Sequence, residues 1–122
     1  MNIIIADDIP GMRRLFSEII GLRFPNFKID CVENGQDLIN KVREKDYDFV
    51  ITDNSMPVRN GFTRVDGIEA ISEIRKNNKT VPICMISSST IEKLAFDSGA
   101  NYFIDKKDAS ELLIPMLDQY VK

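Results

Sequence analysis

Residues 48–53 read DFVITD, in which a short run of uncharged, mostly apolar residues ends in an aspartate. Its run FVIT shows no alternation of polar and apolar side chains, which is typical of a parallel strand covered by helices on both faces. The runs IIIA (3–6) and ICMI (83–86) have the same character. Because such runs alternate with helix-like segments, we predict an α/β fold built of βα repeats around a parallel sheet.

Five strands and five helices are predicted. The strands lie near residues 2–6, 27–32, 48–53, 81–87 and 101–104; the helices cover 10–22 and about 35–45, follow Asp66-Gly67, lie near 90–98, and begin at Asp108. The second strand, FKIDCV, alternates apolar and charged residues, so we expect it at an edge of the sheet. Asp66 is expected to cap the third helix, and Asp108 the fifth, with Glu111 at capping-box spacing. Pro115 falls inside the fifth helix, where we expect a kink.

The composition limits the classes of function. The chain has 122 residues, enough for one compact domain over residues 1–122. No apolar run approaches the roughly 18 residues of a membrane span, and the start MNIIIADD does not resemble a signal peptide, so we expect a cytoplasmic protein without membrane insertion. The net charge is −3, and no stripe rich in Lys and Arg stands out, so direct nucleic-acid binding is not expected.

Histidine is absent from the sequence, and this removes several kinds of chemistry. A Ser-His-Asp triad, a Cys-His pair and a His-ligated zinc site are all excluded. The two cysteines, Cys31 and Cys84, lie in apolar segments and are expected to be buried small hydrophobes, not a disulfide or metal ligands. Any reactive group must therefore be a carboxylate, a hydroxyl or an amine.

Polar residues stand where the predicted strands end, which is where parallel α/β sheets bind ligands. They are Asp7 and Asp8 after the first strand, Asp53 after the third, Ser87 at the end of the fourth and Lys106 after the fifth. Singly, each has an ordinary explanation as a helix cap or a surface residue. Together they predict a site in which clustered carboxylates hold a hard cation such as Mg²⁺, with Mn²⁺ as a substitute. Asp53 would then be a carboxylate nucleophile that takes a phosphoryl group, and Lys106 and Ser87 would hold its oxygens.

These motifs resemble the receiver domain of two-component response regulators over nearly the whole chain. The resemblance rests on Asp7-Asp8 after NIIIA, on Asp53 followed by Met56-Pro57, on Ser87 after VPICMI, and on GANYFIDK, which ends in Lys106. The portion DDIPGMRR is similar to the small single-domain chemotaxis regulators of the CheY type. Met1 directly before the first strand favours a complete single-domain protein.

The resemblance implies a flavodoxin-like, doubly wound five-stranded sheet in the order 2-1-3-4-5, with two helices on one face and three on the other. It also implies the roles of the site residues. Asp53 would accept the phosphoryl group from a sensor histidine kinase or a histidine phosphotransfer protein. Asp8, Asp53 and the main-chain carbonyl of Ser55 would hold Mg²⁺, and Asp7 would act through water.

The same resemblance implies how the protein signals. Lys106 would pair with the phosphoryl group, Ser87 would be the switch hydroxyl, and Phe103 the switch aromatic, although Tyr102 could instead be the residue that reorients. The surface of the fourth helix, fifth strand and fifth helix would then bind a downstream protein target. Such a protein is a signalling switch that catalyses only its own phosphorylation and autodephosphorylation. Lys107 departs from the family, which usually has proline there.

The sequence is also compared with two other functions. An Asp-nucleophile, Mg²⁺-dependent phosphatase usually has a second aspartate two residues after the nucleophile, where this chain has Ser55. A receiver-like docking module that does not switch would keep the fold without turning over phosphate. The first fits the residues poorly, and the second is distinguished by measuring phosphorylation of Asp53.

The loop after Met56-Pro57 is about six residues longer than the family pattern. Asn60-Gly61 has the usual family spacing from Asp53, but the helical pattern begins only at Asp66-Gly67, so the insertion is predicted to lie within residues 58–65. Asn60-Gly61 is a strong hairpin signal, which predicts a small β-hairpin. We hypothesise that Arg59, Phe62 and Arg64 contact a partner; the alternative is a tolerated insertion without a role.

Overall fold

The computed structural model describes residues 1–56, 65–88 and 90–121. Its strands are β1 (Asn2–Ala6), β2 (Lys28–Val32), β3 (Phe49–Thr52), β4 (Ile83–Ser87) and β5 (Tyr102–Asp105). Its helices are α1 (Pro10–Arg23), α2 (Gly35–Glu44), α3 (Gly67–Asn77), α4 (Glu92–Ser98) and α5 (Ala109–Val121), the last preceded by a 3₁₀ turn over Lys106–Asp108. All five strands are parallel in the order β2-β1-β3-β4-β5, which confirms the predicted fold class and strand order.

The sheet separates two apolar clusters. Successive residues of β1 alternate between them: Ile4 packs on the side of α2, α3 and α4, and Ile3 and Ile5 pack on the side of α1 and α5. Every residue of β3 and β4 is buried, as their continuous apolar sequences predict. The predicted division into three helices and two is therefore confirmed.

β2 lies at an edge of the sheet, as predicted, and this position explains one wrong expectation. Cys31 is exposed, contrary to the expectation that it is buried, because it belongs to the edge strand. Its Sγ lies 3.4 Å from the hydroxyl of Ser17 on α1. Cys84, on the central strand β4, is buried as expected, and this burial raises the pKa of its thiol to about 12.

The helices begin close to the predicted positions, but one of the capping residues differs from the prediction. Asn34 caps α2 by accepting the N–H of Asp37 on Oδ1 at 2.8 Å. α3 begins at Gly67 with Asp66 in the N-cap position, as predicted, but the Asp66 side chain makes no capping hydrogen bond and its Oδ1 instead lies 3.4 Å from the N–H of Met56. Asp105 caps the 3₁₀ turn before α5, where its Oδ1 accepts the N–H of Lys107 at 3.2 Å. Pro115 lies inside α5 as predicted.

Arg75, near the end of α3, connects three parts of the chain at the amino end of the sheet. It donates from Nε to the carbonyl of Gly99 at 2.9 Å, from Nη1 to the carbonyl of Asn78 at 3.2 Å, and from Nη2 to Asn101 Oδ1 at 2.9 Å. Gly99 has φ 120°, a conformation that favours glycine, and a Cβ there would press on the Arg75 side chain. The connection between α4 and β5 is therefore fixed to α3.

Across the described ranges, each helix is too short or too polar to cross a membrane.

Candidate functional site

Three carboxylates meet at the carboxyl end of the sheet. Asp7 and Asp8 follow β1, and Asp53 follows the neighbouring strand β3. One carboxylate oxygen from each of them lies within 4.8 Å of the others. Asp7 and Asp53 are 1% and 7% exposed, whereas Asp8 is half-buried. The structure thus brings together the three acidic residues that the sequence singled out.

Lys106 brings the positive charge to this cluster. It follows β5, and its Nζ lies 3.2 Å from Asp53 Oδ2 and 3.4 Å from Asp7 Oδ2. Its side chain is 19% exposed, so these ion pairs are partly shielded from solvent. Lys106 thus pairs with two of the three clustered carboxylates.

Main-chain amides hold the other oxygens of the two buried carboxylates. Asp7 Oδ1 accepts the N–H of Ile9 at 2.9 Å, and Asp53 Oδ1 accepts the N–H of Asn54 at 2.8 Å. Arg13 donates from Nη1 to the carbonyl of Asp7 at 2.7 Å and so fixes the start of the β1–α1 loop. Each buried carboxylate therefore has one oxygen set by the backbone and one facing Lys106.

Burial and crowding change the acidity of these groups. Burial raises the pKa of Asp53, and the charge of Asp7 adds to this, against the lowering effect of Lys106 and of the Asn54 N–H. Burial likewise raises the pKa of Asp7. Burial lowers the pKa of Lys106, but the charges of Asp53 and Asp7 outweigh it, so this pKa lies above its ordinary value. An added cation would favour the ionised carboxylates.

The donor set fits a hard divalent cation. Oxygen ligands and surplus negative charge are what Mg²⁺ and Mn²⁺ prefer in proteins. Asp7, Asp8 and Asp53 have the necessary proximity. Ser55, whose main-chain carbonyl completes the expected ligand set, is exposed two residues after Asp53.

Ser87 and Phe103 lie on the same face of the sheet. Met85 of β4 pairs with Phe103 of β5, and both pack on the cluster formed with α2, α3 and α4. Ser87, two residues after Met85, points to the same side and is 2% exposed. Phe103 is half-buried. The two expected switch residues therefore share the face that α3 and α4 cover.

Tyr102, the other candidate for reorientation, packs on the opposite face. Its ring centroid lies 5.6 Å from that of Tyr120 on α5 and 6.3 Å from that of Phe49. Burial raises the pKa of Tyr120 to about 12, with the hydrogen bond to Tyr102 as the next contribution. These contacts hold Tyr102 in the core beside α5 and away from Ser87.

Arg59, Phe62 and Arg64, and the hairpin predicted over 58–65, fall almost wholly on residues 57–64, outside the described residues. The described flanks are buried: Met56 is fully buried and Val65 is 9% exposed. Val65 packs on Gly35 at the start of α2, where a Cβ would collide with the Val65 carbonyl.

Sequence reasoning missed Asn54 at this site. Its main-chain carbonyl accepts the N–H of Gly67 at 2.8 Å, and its Oδ1 accepts the N–H of Ile68 at 3.1 Å. Asn54 thus supplies the cap that was expected from Asp66. Helix-cap signals are sought beside the helix, and Asn54 lies 14 positions before Ile68.

A family model described as the response regulator receiver domain matches residues 3–118. The chain is 36% identical over 108 residues to the chemotaxis protein CheY of Halobacterium salinarum, and this match covers 86% of the chain and 83% of that protein. It is also 36% identical over 112 residues to protein-glutamate methylesterase/protein-glutamine glutaminase 1 of Vibrio cholerae serotype O1, covering 88% of the chain. The chain spans only 28% of the length of that enzyme.

Solved structures have the same architecture. The response regulator protein TrrA of Thermotoga maritima, in complex with Mg²⁺ and BeF, superposes with a TM-score of 0.81 at 27% identity, over 97% of this chain and 96% of that one. The response regulator domain of Thermotoga maritima CheB superposes with a TM-score of 0.82 at 24% identity, over 98% and 94% of the two chains. The second likeness concerns the fold alone.

Proposed function

The chain belongs to the response regulator receiver domain family, and on that basis we propose that it accepts a phosphoryl group on Asp53 and thereby switches its binding to a partner. The observation that carries the proposal is the cluster itself: Asp7, Asp8 and Asp53 meet at one end of the sheet, and Lys106 reaches two of them. Clustered carboxylates can bind a cation, and the cation and a neighbouring lysine can stabilise the charge of a phosphoryl group.

In the proposed reaction a carboxylate oxygen of Asp53 attacks phosphorus. The new O–P bond forms as the P–N bond of a phosphohistidine on a histidine kinase or phosphotransfer protein breaks. The Asn54 N–H holds Asp53 Oδ1, and Lys106 lies on the Oδ2 side, where it can neutralise charge on the phosphoryl oxygens. The chain acts as a switch and catalyses only its own phosphorylation and autodephosphorylation.

Asp8, Asp53 and the main-chain carbonyl of Ser55 would hold Mg²⁺, with Asp7 acting through water. When bound, the ion supplies positive charge that reduces repulsion between the carboxylates and the incoming group. This chain's residues then do the positioning: the Ile9 and Asn54 amides fix one oxygen each of Asp7 and Asp53.

Switching is proposed to run through Ser87 and Phe103. A phosphoryl group adds about −1.5 to −2 charge and three acceptor oxygens, which would draw the Ser87 hydroxyl toward Asp53. Phe103, on the same face, would turn into the vacated space. Tyr102 is the less suitable candidate because its ring packs with Phe49 and Tyr120.

The output surface in this proposal is formed by α4, β5 and α5. It exposes large apolar side chains: Leu94 is 55% exposed, Phe96 44% and Leu112 46%. A groove between β5 and α5 is lined by Phe103 together with Leu112 and Pro115. A turn of Phe103 would therefore change the shape of a surface suited to a downstream protein. We further propose that residues 1–122 act as one domain in the cytoplasm.

The decisive experiment is phosphorylation by a small donor. The protein is incubated with Mg²⁺ and acetyl phosphate, and its intact mass is measured, with Asp53→Asn as the matched control and a chelator arm for the metal. We expect one added phosphoryl group on the wild type, and none on the variant or in the chelator. The proposal would be contradicted if the wild type gained no phosphoryl group or if the variant gained as much as the wild type. Either result would favour the non-switching docking module.

We also propose that Arg59, Phe62 and Arg64 contact the kinase, a phosphatase or the target. A deletion of residues 59–64 removes all three and keeps Val65, which is packed on Gly35. A triple alanine variant keeps the loop length as a control. We expect both variants to react normally with acetyl phosphate and to lose transfer from, or binding to, the cognate partner. Unchanged transfer and binding in both would reject a role for these side chains.

A further inference from the structure

Asn54 joins the start of α3 to the reactive carboxylate. The first two N–H groups of the helix both go to this residue: Gly67 donates to its carbonyl at 2.8 Å and Ile68 to its Oδ1 at 3.1 Å. The first N–H groups of a helix have no partner within the helix, so a cap is needed there. It comes from the residue that directly follows Asp53.

The same residue holds Asp53. The N–H of Asn54 donates to Asp53 Oδ1 at 2.8 Å, while Lys106 lies 3.2 Å from Oδ2. The direction of this N–H depends on the backbone conformation of Asn54, which its two hydrogen bonds from α3 hold in place. A change in the Asn54 side chain can therefore alter the position of the Asp53 carboxylate through the backbone of Asn54.

The packing between the two segments is close enough to transmit such a change. A Cβ on Gly67 would collide with the main-chain oxygen of Asp53 and would lie 3.0 Å from the Cα of Asn54. The first residue of α3 therefore rests directly on the backbone of Asp53 and Asn54. Closely packed protein interiors have low compressibility and transmit strain.

We propose that Asn54 is a positioning residue for the phosphoryl transfer proposed above: its side-chain oxygen, by capping α3, fixes the backbone N–H that orients the Asp53 carboxylate. The inference rests on the proposed function of Asp53. Asn54, directly after the acceptor, thus caps α3 in place of Asp66, the expected cap.

The chain offers a matched control for the test. Asn34 caps α2 with the same chemistry, at 2.8 Å, and lies outside the carboxylate cluster. Asn54→Ala and Asn34→Ala are each expected to lower Tm by about 2–6 °C, the typical effect of losing a helix cap. Both are compared with the wild type by amide hydrogen exchange, and by the rate of phosphorylation with Mg²⁺ and acetyl phosphate.

The two variants should lose similar stability but differ in which amide exchanges faster and in the rate of phosphorylation. In Asn54→Ala we expect faster exchange of the Ile68 amide and a phosphorylation rate lower by about two- to tenfold, the range produced by the loss of one hydrogen bond. In Asn34→Ala we expect faster exchange of the Asp37 amide and an unchanged rate. Asn54→Ser, which keeps a shorter neutral acceptor, should lie between Asn54→Ala and the wild type in both Ile68 exchange and rate.

An unchanged rate in Asn54→Ala, or an equal fall in Asn34→Ala, would overturn the inference. So would an Asn54→Ser variant in which Ile68 exchange recovers and the rate does not. If instead the wild type itself takes up no phosphoryl group, the proposed function has failed and the inference falls with it. The two failures are therefore told apart by the wild-type sample.

Discussion

Arg75 of α3 donates from Nε to the carbonyl of Gly99, 24 residues away, at 2.9 Å, so that one helix holds the end of the next. Its other nitrogens reach Asn78 and Asn101. Burial lowers the pKa of Arg75, but a guanidinium stays charged at any ordinary pH. All three hydrogen bonds are thus formed by a charged donor.

The first prediction follows from these bonds. Arg75→Ala should lower the free energy of unfolding by about 2–3 kcal/mol, because hydrogen bonds from charged groups are worth more than neutral ones. Arg43→Ala removes an exposed guanidinium whose pair with Glu73 spans 3.7 Å, and it should cost less than about 1 kcal/mol. Urea unfolding of both variants measures the difference. Equal costs would show that the connection between α4 and β5 does not depend on Arg75.

The second prediction concerns the pH dependence of stability. The pKa of Asp53 is raised in the folded protein, first by burial and then by the charge of Asp7. Its contribution to stability is therefore fully present below the unfolded value of 3.8 and is lost as pH rises through the folded pKa. Asp53→Asn, which carries no charge, should be more stable than the wild type at pH 7.

This advantage should shrink as pH is lowered toward 3.8, because protonation neutralises Asp53 in the wild type as well. Thermal unfolding across this range, with a chelator present, gives the measurement. Asp97→Asn on α4 is the control. The Asp97 side chain is 63% exposed and its Oδ2 lies 3.8 Å from Lys93 Nζ, so this substitution should change the stability little. An Asp53→Asn variant no more stable than the wild type at pH 7 would contradict the prediction.

The third prediction compares two glycines in helices. A Cβ on Gly21, in α1, would meet nothing within 4 Å, so Gly21→Ala should stabilise the protein by about 0.5–1 kcal/mol. A Cβ on Gly67 would collide with the carbonyl of Asp53. Gly67→Ala should therefore destabilise by about 1–3 kcal/mol and slow phosphorylation. Denaturant unfolding and the acetyl phosphate assay compare the two variants with the wild type. A Gly67→Ala variant that is as stable and as reactive as the wild type would contradict the prediction.

The fourth prediction separates the two candidate switch aromatics. The sequence contains no tryptophan, so Phe103→Trp and Tyr102→Trp each introduce one fluorophore. Phe103 shares its face of the sheet with Ser87, whereas Tyr102 packs against α5. Addition of Mg²⁺ and beryllium fluoride, a phosphoryl mimic, should change the emission of Trp at position 103 and leave that at position 102 nearly constant. The reverse pattern would transfer the role to Tyr102.

The central part of the fold is predictable because its signals are local. The continuous apolar runs in β1, β3 and β4 indicate strands buried on both faces, and the alternation in β2 indicates an edge. Parallel strands present their carboxyl ends at the same edge of the sheet. The convergence of Asp7, Asp53 and Lys106 thus follows once the strands are recognised.

The features that were missed depend on partners distant in sequence. Asn54 caps a helix that begins 13 residues later, and Arg75 bonds to Gly99 and Asn101 across another helix and strand. No spacing rule connects such residues before the chain is folded. The expectation that Cys31 is buried is wrong for a related reason: its exposure depends on the position of β2 at the edge of the sheet, which the residues around it do not state.

The contrast between the two thiols has a practical use. Cys31 is exposed on the edge strand, whereas Cys84 is buried and has a pKa of about 12. Because the thiolate is the form that reacts with maleimides, Cys84 should stay unmodified at neutral pH. The natural sequence can therefore carry one fluorescent or spin label, attached at Cys31 without any substitution.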